Sequence, residues 1–420
     1  MSALREIHFR NYKAFRDESS LEIRPITLLF GKNSVGKSAV LRLLPLLAAS
    51  SLHRHVRHIP SIIDYSSPTL RGANFSELVH RGSTSQSLEF RLSWPDCTFD
   101  VQVKQEQSPT REYVSSFSAS SEGHSISGIS LDPAKSIYEI SRGDQKLEIE
   151  LHFHGMRIDT VPMGDAPSDA VLATLRTRLN ELASSVHWIA AVRAQPPRLF
   201  TLEPGDNIGI RYDGSGAAEA LRASAIASDG VSSAVSDWLG KACGCKLAFA
   251  ATDAQIIHGR EWFPFNVQPA GTGASVAVRD VGEGVAQSIP VITLCLQAAR
   301  GLLGTAPLLA FEQPELHLHP NASAKLADAI VDCVAAGSPA KHIIETHSES
   351  FLLALQIAVL EGRISKEQVL VYWIDTSEEG SSMQRIEFDE DGYPTAGWPE
   401  GVFRETLEQA RRIAELRLAK

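Results

Sequence analysis

The eight residues from Gly31 to Ser38, GKNSVGKS, constrain the fold more than any other part of the chain. They fit the pattern G-x-x-x-x-G-K-[ST], in which glycines let a loop curl until its backbone N–H groups surround a phosphate. A short apolar run at 27–30 precedes the loop, and a helix is predicted over 39–49. A strand, a tight loop and a helix in that order predict an α/β fold with a nucleotide site at the loop.

Every residue of this loop is predicted to contact nucleotide. The side chain of Lys37 can reach the β- and γ-phosphates, and the hydroxyl of Ser38 can bind magnesium. The expected nucleotide-binding set is Gly31, Lys32, Asn33, Ser34, Val35, Gly36, Lys37 and Ser38. An ordinary glycine-bearing turn is the alternative, which the flanking strand and helix disfavour.

Two apolar strands are predicted far downstream, and each leads into polar residues. Residues 307–311 run into Glu312, the candidate acid for magnesium, and residues 341–345 are followed closely by His347, the candidate sensor of the γ-phosphate. A helix predicted over 322–336 supplies the crossover that two parallel strands need. Because parallel strands bind ligands at their carboxyl ends, these residues are expected beside the loop.

Separate blocks of the chain together resemble one family. The blocks are REIHFRNYKAF, the loop at 31–38, RDVGEGVAQSIPVI, FEQPELHLHP and ETHSES. In combination they are similar to an ATPase of the RecF/SMC/OLD branch of the ABC class. The stretch FDEDGYPTAGWPEGVF resembles the uncharacterised domain that ends one bacterial subgroup, which is often encoded beside phage-defence genes. The resemblance covers residues 1–50 and 188–420 and leaves about 85–185 unmatched.

The resemblance implies an ABC/RecF-type P-loop ATPase head with a mixed sheet. Alternating stretches between Leu88 and Met163 predict antiparallel strands, so the head is expected to carry a β-rich side-lobe insertion. Within it, the Ser- and Gly-rich run from Ser115 to Ser130 is predicted to be an exposed loop. No heptad pattern continues for more than a few turns, so no long coiled coil is expected.

The expected organisation is a head split by an insertion. A helix predicted over Asp169–Ser185 closes the insertion, and another is predicted near the end of the chain, over 402–418. The four expected parts are 1–84, the N-terminal part of the head with the P-loop; 85–185, the insertion; 186–270, a connecting lobe; and 271–420, the C-terminal part with the signature, the magnesium acid and the switch histidine.

The resemblance also implies a catalytic unit built from two chains. In such heads, nucleotide on the P-loop of one subunit is covered by a glycine-rich signature from the other, which here is Gly282, Glu283 and Gly284. A glycine turn before a core helix is the alternative reading of these three residues. A homodimer or higher oligomer of heads is therefore expected, with ATP favouring association and hydrolysis favouring release.

One position departs from the family pattern. Gln313 follows the magnesium acid, where these ATPases usually have a glutamate that polarises the attacking water. An amide cannot accept a proton at neutral pH, although it can orient water. The candidate catalytic residues are therefore Gln313, Glu315 and His347, and slow hydrolysis is expected.

Composition narrows the classes of partner. A net charge of −10 argues against a chain whose main task is coating nucleic acid, since phosphate contacts require lysine and arginine. Local exceptions are a basic run at 51–58, interpreted as a solvated helix end, and Arg193 with Arg198, which lie either near phosphates or in a structural turn. No apolar run approaches the roughly 18 residues that span a bilayer, so no membrane contact and a cytoplasmic location are expected.

Three functional hypotheses follow. The first is an ATPase whose head dimer, with ATP and Mg²⁺, controls a separately encoded effector protein in bacterial antiphage defence. The second is a scaffold that binds nucleotide without hydrolysing it. The third, a RecF-like ATPase of DNA repair and maintenance, rests on fold analogy alone. Only about seventy residues follow His347, which we expect to be too few for an added nuclease domain.

Overall fold

A computed structural model describes most of the chain. The described residues are 3–51, 61–107, 110–143, 145–158, 166–202, 209–248, 254–395 and 397–398, together with Arg412 and Glu415. Apart from Arg412 and Glu415, the terminal helix predicted over 402–418 lies outside these residues, as does nearly all of the basic run at 51–58.

The strands of the described residues, in chain order, are β1 Glu6–Arg10, β2 Ser19–Glu22, β3 Ile26–Gly31, β4 Ser87–Ser93, β5 Cys97–Gln107, β6 Thr110–Ser121, β7 His124–Asp132, β8 Ile137–Arg142, β9 Gln145–Glu150, β10 Phe153–His154, β11 Arg157–Ile158, β12 Val186–Ile189, β13 Leu199–Leu202, β14 Cys245–Leu247, β15 Gln255–Ile257, β16 Arg260–Pro264, β17 Asn266–Pro269, β18 Val276–Ala277, β19 Leu308–Glu312, β20 Lys341–Glu345, β21 Val369–Ser377 and β22 Gly380–Ile386. The α-helices are α1 Lys37–Ser51, α2 Phe75–Leu78, α3 Ala166–Ser185, α4 Ala217–Ala227, α5 Val231–Cys243, α6 Glu283–Ala299, α7 Pro320–Ala335 and α8 Glu349–Leu360.

The strand before the P-loop lies inside a six-stranded sheet of order β12-β19-β20-β3-β21-β22. The first five strands are parallel to their neighbours, and β22 returns antiparallel to β21. The two downstream strands predicted from sequence, β19 and β20, therefore lie next to each other and beside β3. Their carboxyl ends share one edge with the P-loop, as expected for a parallel arrangement.

A second sheet of eight strands has the order β2-β1-β4-β5-β6-β7-β8-β9 and is antiparallel throughout. Its first two strands come from the N-terminal segment, and the other six come from the predicted insertion. Because β4 pairs with β1, the strands of the insertion extend the N-terminal hairpin. The mixed six-stranded sheet and the β-rich insertion confirm the expected α/β class.

The Ser-rich run from Ser115 to Ser130 was predicted to be an exposed loop, and that prediction is wrong. It contains most of β6 and β7, joined by a tight turn in which Glu122 and Gly123 have φ of 51° and 80°. Phe117 and Ala119 are buried and alternate with half-buried serines, which is the period of a strand. The serines concealed the alternation because they are small and polar.

Two hydrophobic cores lie on opposite faces of the six-stranded sheet. Along β3, Leu28 and Phe30 belong to the core formed with α5, α6, α7 and α8, whereas Leu29 belongs to the core formed with α1, α3 and the eight-stranded sheet. Successive side chains of a strand point to opposite faces, so one apolar run can fill both cores. The P-loop is thereby attached to a strand that is buried on both sides.

Among the described residues, no helix is long and apolar enough to cross a membrane.

Candidate functional site

The P-loop needs its two glycines for different close contacts. Gly31 has φ of 148°, and a Cβ placed there would lie 2.3 Å from the carbonyl oxygen of Ile374 on β21. Gly36 has φ of 106°, and its Cβ would lie 3.0 Å from the ring of Phe15. Both conformations are in the region that L side chains rarely adopt. The loop therefore has the tight curl that the sequence pattern predicts.

Lys37 points into this loop. Its side chain is buried, and its ammonium donates hydrogen bonds to the carbonyl oxygens of Gly31, at 2.9 Å, and of Lys32. Burial lowers the pKa of Lys37 to about 8, and the negative charge of Glu345 opposes that shift. A cation held by two loop carbonyls can exchange them for phosphate oxygens without disturbing either core.

Ser38, at the start of α1, contacts an acidic residue that sequence reasoning did not select. Its hydroxyl donates to Oε1 of Glu345 at 2.7 Å. The pairing of β20 with β3 and β19 places Glu345 opposite Leu29 on one side and Glu312 on the other. Burial raises the pKa of Glu345, and so does the charge of Glu312, whereas the Ser38 hydrogen bond lowers it.

Glu312 lies at the end of β19 as predicted, and it is fully buried. Arg42, one turn after Ser38 on α1, donates to both of its carboxylate oxygens, from Nε at 2.6 Å and from a terminal nitrogen at 2.5 Å. The indole N–H of Trp188 adds a hydrogen bond of 3.0 Å. Burial alone would lower the pKa of Arg42, but the hydrogen bonds and charge of Glu312 outweigh it and raise that pKa.

The three candidate catalytic residues lie around the same strand ends. Gln313 has a φ of 42°, and its N–H donates to the carbonyl oxygen of Glu345 at 2.8 Å. The carboxylate of Glu315 accepts hydrogen bonds from the Thr346 hydroxyl at 2.5 Å and from the His347 N–H at 3.3 Å. Glu315 therefore orients the turn that carries His347.

Two of these groups have shifted pKa values. Burial raises the pKa of Glu315, against the opposing effect of its hydrogen bond from Thr346. Burial also lowers the pKa of His347, and the positive charge of Lys37 lowers it further. At neutral pH the imidazole is therefore predominantly uncharged, with a nitrogen able to accept a proton or a hydrogen bond.

The signature residues stand at the beginning of α6. Gly284 packs tightly within its own chain, since a Cβ there would lie 2.6 Å from the carbonyl oxygen of His317. The side chain of Glu283 is exposed and lies 3.5 Å from the His317 ring. A Cβ on Gly282 would have no atom of the described chain within 4 Å. At the N-terminus of α6, Gly284 is therefore packed against its own chain, whereas the space beside Gly282 is open.

Arg193 does not lie free for phosphate. It is buried, and its guanidinium donates to the carbonyl oxygens of Gln287 on α6, at 3.0 Å, and of Glu312 and Gln313, at 3.1 Å each. Burial lowers the pKa of Arg193 to about 10, while the charges of nearby glutamates oppose the shift. Arg198 forms an exposed ion pair with Asp280. The alternative of a structural turn describes this segment better.

The oxygen atoms at this edge suit magnesium. No cluster of three or more His, Cys, Asp and Glu side chains that could hold a metal occurs in the described parts of the chain. Magnesium at a phosphate site does not need one, because one or two protein oxygens suffice when phosphates and waters complete the octahedron. Ser38, Glu312 and Glu345 present such oxygens next to the P-loop.

Comparison with known sequences supports this assignment for part of the chain. Residues 268–354 match the family model described as "AAA domain, putative AbiEii toxin, Type IV TA system". The matched residues include Gly282 to Gly284, Glu312 and His347, and the match supports a P-loop ATPase of the ABC/AAA type. No match to a curated protein was found.

Solved structures similar to this chain include three SMC heads. One is bound to the C-terminal winged-helix domain of ScpA, with 11% identity, coverage of 92% of this chain and 98% of that chain, and a TM-score of 0.47. The Thermotoga maritima head has 10% identity, coverage of 91% and 98%, and a TM-score of 0.38. A Pyrococcus furiosus head, bound to the C-terminal domain of ScpA, has 9% identity, complete coverage of both chains (100%), and a TM-score of 0.47. TM-scores below 0.5 do not establish a shared fold. The assignment of a nucleotide site therefore rests on the geometry at the P-loop and on the family match.

Proposed function

We propose that this chain binds ATP with Mg²⁺ at Gly31–Ser38 and hydrolyses it slowly, as one head of a pair. The observation that carries the proposal is the convergence of the P-loop, Glu312, Glu345 and His347 at the carboxyl ends of three adjacent parallel strands. Magnesium, when bound, would neutralise charge that develops on the phosphates. The chain itself supplies the phosphate cradle, a lysine, and a neutral histidine.

Pairing of two heads is the second element of the proposal. The space beside Gly282, at the start of α6, is open. A helix N-terminus carries unpaired N–H groups with partial positive charge. We propose that Gly282 and its neighbours Glu283 and Gly284 cover the γ-phosphate of nucleotide on a second copy. ATP would then stabilise the dimer, and its hydrolysis would weaken the contact.

A specific observation favours a second candidate, a scaffold that binds ATP without hydrolysing it. Gln313 provides no proton acceptor. In Glu315, Oε1 accepts hydrogen bonds from Thr346 and the His347 N–H, whereas the buried Oε2 has no hydrogen-bond partner among the described residues. Of the three proposed catalytic residues, His347 is then the only neutral base. A site of this kind supports slow turnover at most, unless Oε2 of Glu315 acts as the base.

We further propose that the nucleotide state of the head pair controls a separately encoded effector, in bacterial antiphage defence. The name of the matched family model, which refers to a toxin of a toxin–antitoxin system, supports a role alongside a partner protein. The net charge of −10 favours a protein partner over nucleic acid.

Phosphate release by purified protein separates the two candidates. Wild type, Lys37→Ala and Gln313→Glu are compared with Mg²⁺–ATP, and equilibrium binding of a fluorescent ATP analogue is measured on the same samples. Turnover by wild type that Lys37→Ala lacks supports the ATPase. Turnover by Gln313→Glu alone supports the scaffold. ATP affinity that Lys37→Ala leaves unchanged would refute both.

A further inference from the structure

Two buried carboxylates stand side by side at the P-loop, and their partners are unequal. Both oxygens of Glu312 accept hydrogen bonds from Arg42, and Oε1 accepts another from Trp188. Glu345 is only 3% exposed, and its Oε1 accepts a hydrogen bond from Ser38. Its Oε2 has no hydrogen-bond partner anywhere in the described chain.

An unpaired carboxylate oxygen in the interior is costly. Leaving a buried polar atom unsatisfied typically costs about 1–3 kcal/mol, and more when the group is charged. The charges of Lys37 and Arg42 both act on Glu345, but neither side chain donates to Oε2. The ammonium of Lys37 donates to the carbonyl oxygens of Gly31 and Lys32, and Arg42 donates to Glu312. An unpaired carboxylate oxygen beside a phosphate loop is suited to binding a cation.

We propose that Glu345 is the protein carboxylate that contacts the Mg²⁺ of bound ATP next to Ser38, while Glu312 remains paired with Arg42. This inference rests on the proposed nucleotide function. It assigns the metal contact to a residue of β20, the strand between the P-loop strand and the strand that ends in Glu312.

The spacing of the oxygens supports this assignment. Magnesium binds oxygens at about 2.0–2.1 Å in near-octahedral geometry, so two neighbouring ligands lie about 3 Å apart. The Ser38 hydroxyl and Oε1 of Glu345 are 2.7 Å apart, close to that spacing. Glu312 would have to give up its paired, buried arrangement with Arg42 to do the same, and breaking such a pair costs about 3–5 kcal/mol.

The test measures how much Mg²⁺ strengthens nucleotide binding, independently of turnover. Equilibrium binding of a fluorescent ATP analogue to the full chain is measured in MgCl₂ and in EDTA, for wild type, Glu345→Gln and Glu312→Gln. Titration with Mn²⁺, followed by electron paramagnetic resonance in the presence of ATP, reports metal affinity directly.

For Glu345→Gln we expect the gain in affinity from Mg²⁺ to fall by about tenfold or more. Affinity in EDTA should stay equal or become tighter, because a negative charge near the triphosphate has been removed. A merely structural role would weaken binding in both buffers. Glu312→Gln should keep most of the gain, since its partner Arg42 already neutralises Glu312 in the free protein.

Retention of the full metal gain by Glu345→Gln would overturn the inference and leave the proposed function intact. Absence of any ATP binding by wild type would overturn the proposed function, and the inference with it. If Glu345→Gln does not fold, Glu345→Asp replaces it. Its carboxylate is withdrawn by one methylene, so it should also lose most of the gain, and full retention there would overturn the inference.

Discussion

The two signature glycines should respond oppositely to substitution by alanine if one is needed within the chain and the other across a dimer. Gly282 has φ of −56°, and a Cβ there would meet no described atom within 4 Å. A Cβ on Gly284 would lie 2.6 Å from the carbonyl oxygen of His317 and 3.2 Å from a methyl group of Leu318. Both positions are in the first residues of α6 or directly before it.

The magnitudes follow from these contacts. In Gly282→Ala, the lower entropy of the unfolded chain favours folding, while alanine is the poorer N-cap residue, so the free energy of unfolding should change by less than about 0.5 kcal/mol. Gly284→Ala must displace a backbone carbonyl, and overpacking of this kind costs about 1–3 kcal/mol. Urea unfolding measures both values.

Although Gly282→Ala should have the smaller effect on the free energy of unfolding, it should have a large effect on function, because Gly282 is proposed to contact nucleotide across the dimer. Gly282→Ala should bind ATP as wild type does but lose ATP-dependent association, measured by sedimentation, and lose phosphate release. Lys37→Ala should not bind ATP at its own P-loop, but its residues Gly282 to Gly284 should still be able to cover nucleotide on a second chain. In an equimolar mixture of Gly282→Ala and Lys37→Ala, the heterodimer has one complete site out of two. Because neither variant should associate with itself under ATP, the heterodimer is the expected pair, and the mixture should restore up to about half of the wild-type rate.

The mixture is measured in the wild-type background, or in Gln313→Glu if only that variant turns over. Two results would refute the reasoning: wild-type association and turnover in Gly282→Ala, or no recovery in the mixture although both variants are folded and Gly282→Ala binds ATP. Either result would mean that α6 does not cover nucleotide on a second chain.

Three further predictions concern the P-loop and its supports. The pKa of Lys37 is lowered to about 8 in the free protein, and bound triphosphate should raise it. ATP affinity should therefore be highest below pH 8 and should fall above it by up to about tenfold per pH unit. Calorimetry in buffers of different ionisation heat should detect the proton taken up on binding. Gly31→Ala should lower the free energy of unfolding by about 3 kcal/mol or more, because its φ is 148° and its Cβ would lie 2.3 Å from a carbonyl oxygen of β21; an unchanged urea midpoint would contradict this. Arg42→Met should lower the free energy of unfolding by about 3–5 kcal/mol, because it leaves the buried Glu312 without its ion-pair partner. Arg363→Met removes a more exposed ion pair with Asp328 and should lower it by about 1 kcal/mol or less. Equal losses in the two variants would contradict this difference in burial.

Local patterns were sufficient to predict the elements around the site. The predicted strand at 341–345 has the same bounds as β20, and the helix predicted over 322–336 corresponds closely to α7, Pro320–Ala335. The P-loop between β3 and α1 was predicted for the same reason. Each of these signals is contained within about fifteen residues, and tertiary packing agrees with it rather than overriding it.

The contacts between these elements could not be predicted in the same way. Glu345 meets Ser38 only because β20 lies between β19 and β3, and strand order is not written in any one segment. The pairing of Arg42 with Glu312 joins residues 270 positions apart, and Arg42 reads in the sequence as an ordinary helical arginine. A signal did exist for Glu345, a carboxylate at the carboxyl end of a predicted parallel strand, but only His347, two residues later, was selected as a functional residue of this segment.

The buried guanidinium of Arg193 connects α6, which is proposed to cover nucleotide on a second chain, with the backbone at Gln313, a candidate catalytic residue. It binds one carbonyl oxygen near the start of α6 and two at the end of β19, those of Glu312 and Gln313. If α6 moved alone, the buried guanidinium would lose the one of its three carbonyl partners that lies on α6. Leaving a buried donor unsatisfied costs about 1–3 kcal/mol, and more when the group is charged. A displacement of the signature helix by nucleotide on a second chain would therefore carry the backbone at Gln313 with it. The position of Gln313, the residue proposed to orient water at one site, would thus depend on occupancy of the other site. The mixed-variant rate therefore tests the whole proposed arrangement and not Gly282 alone.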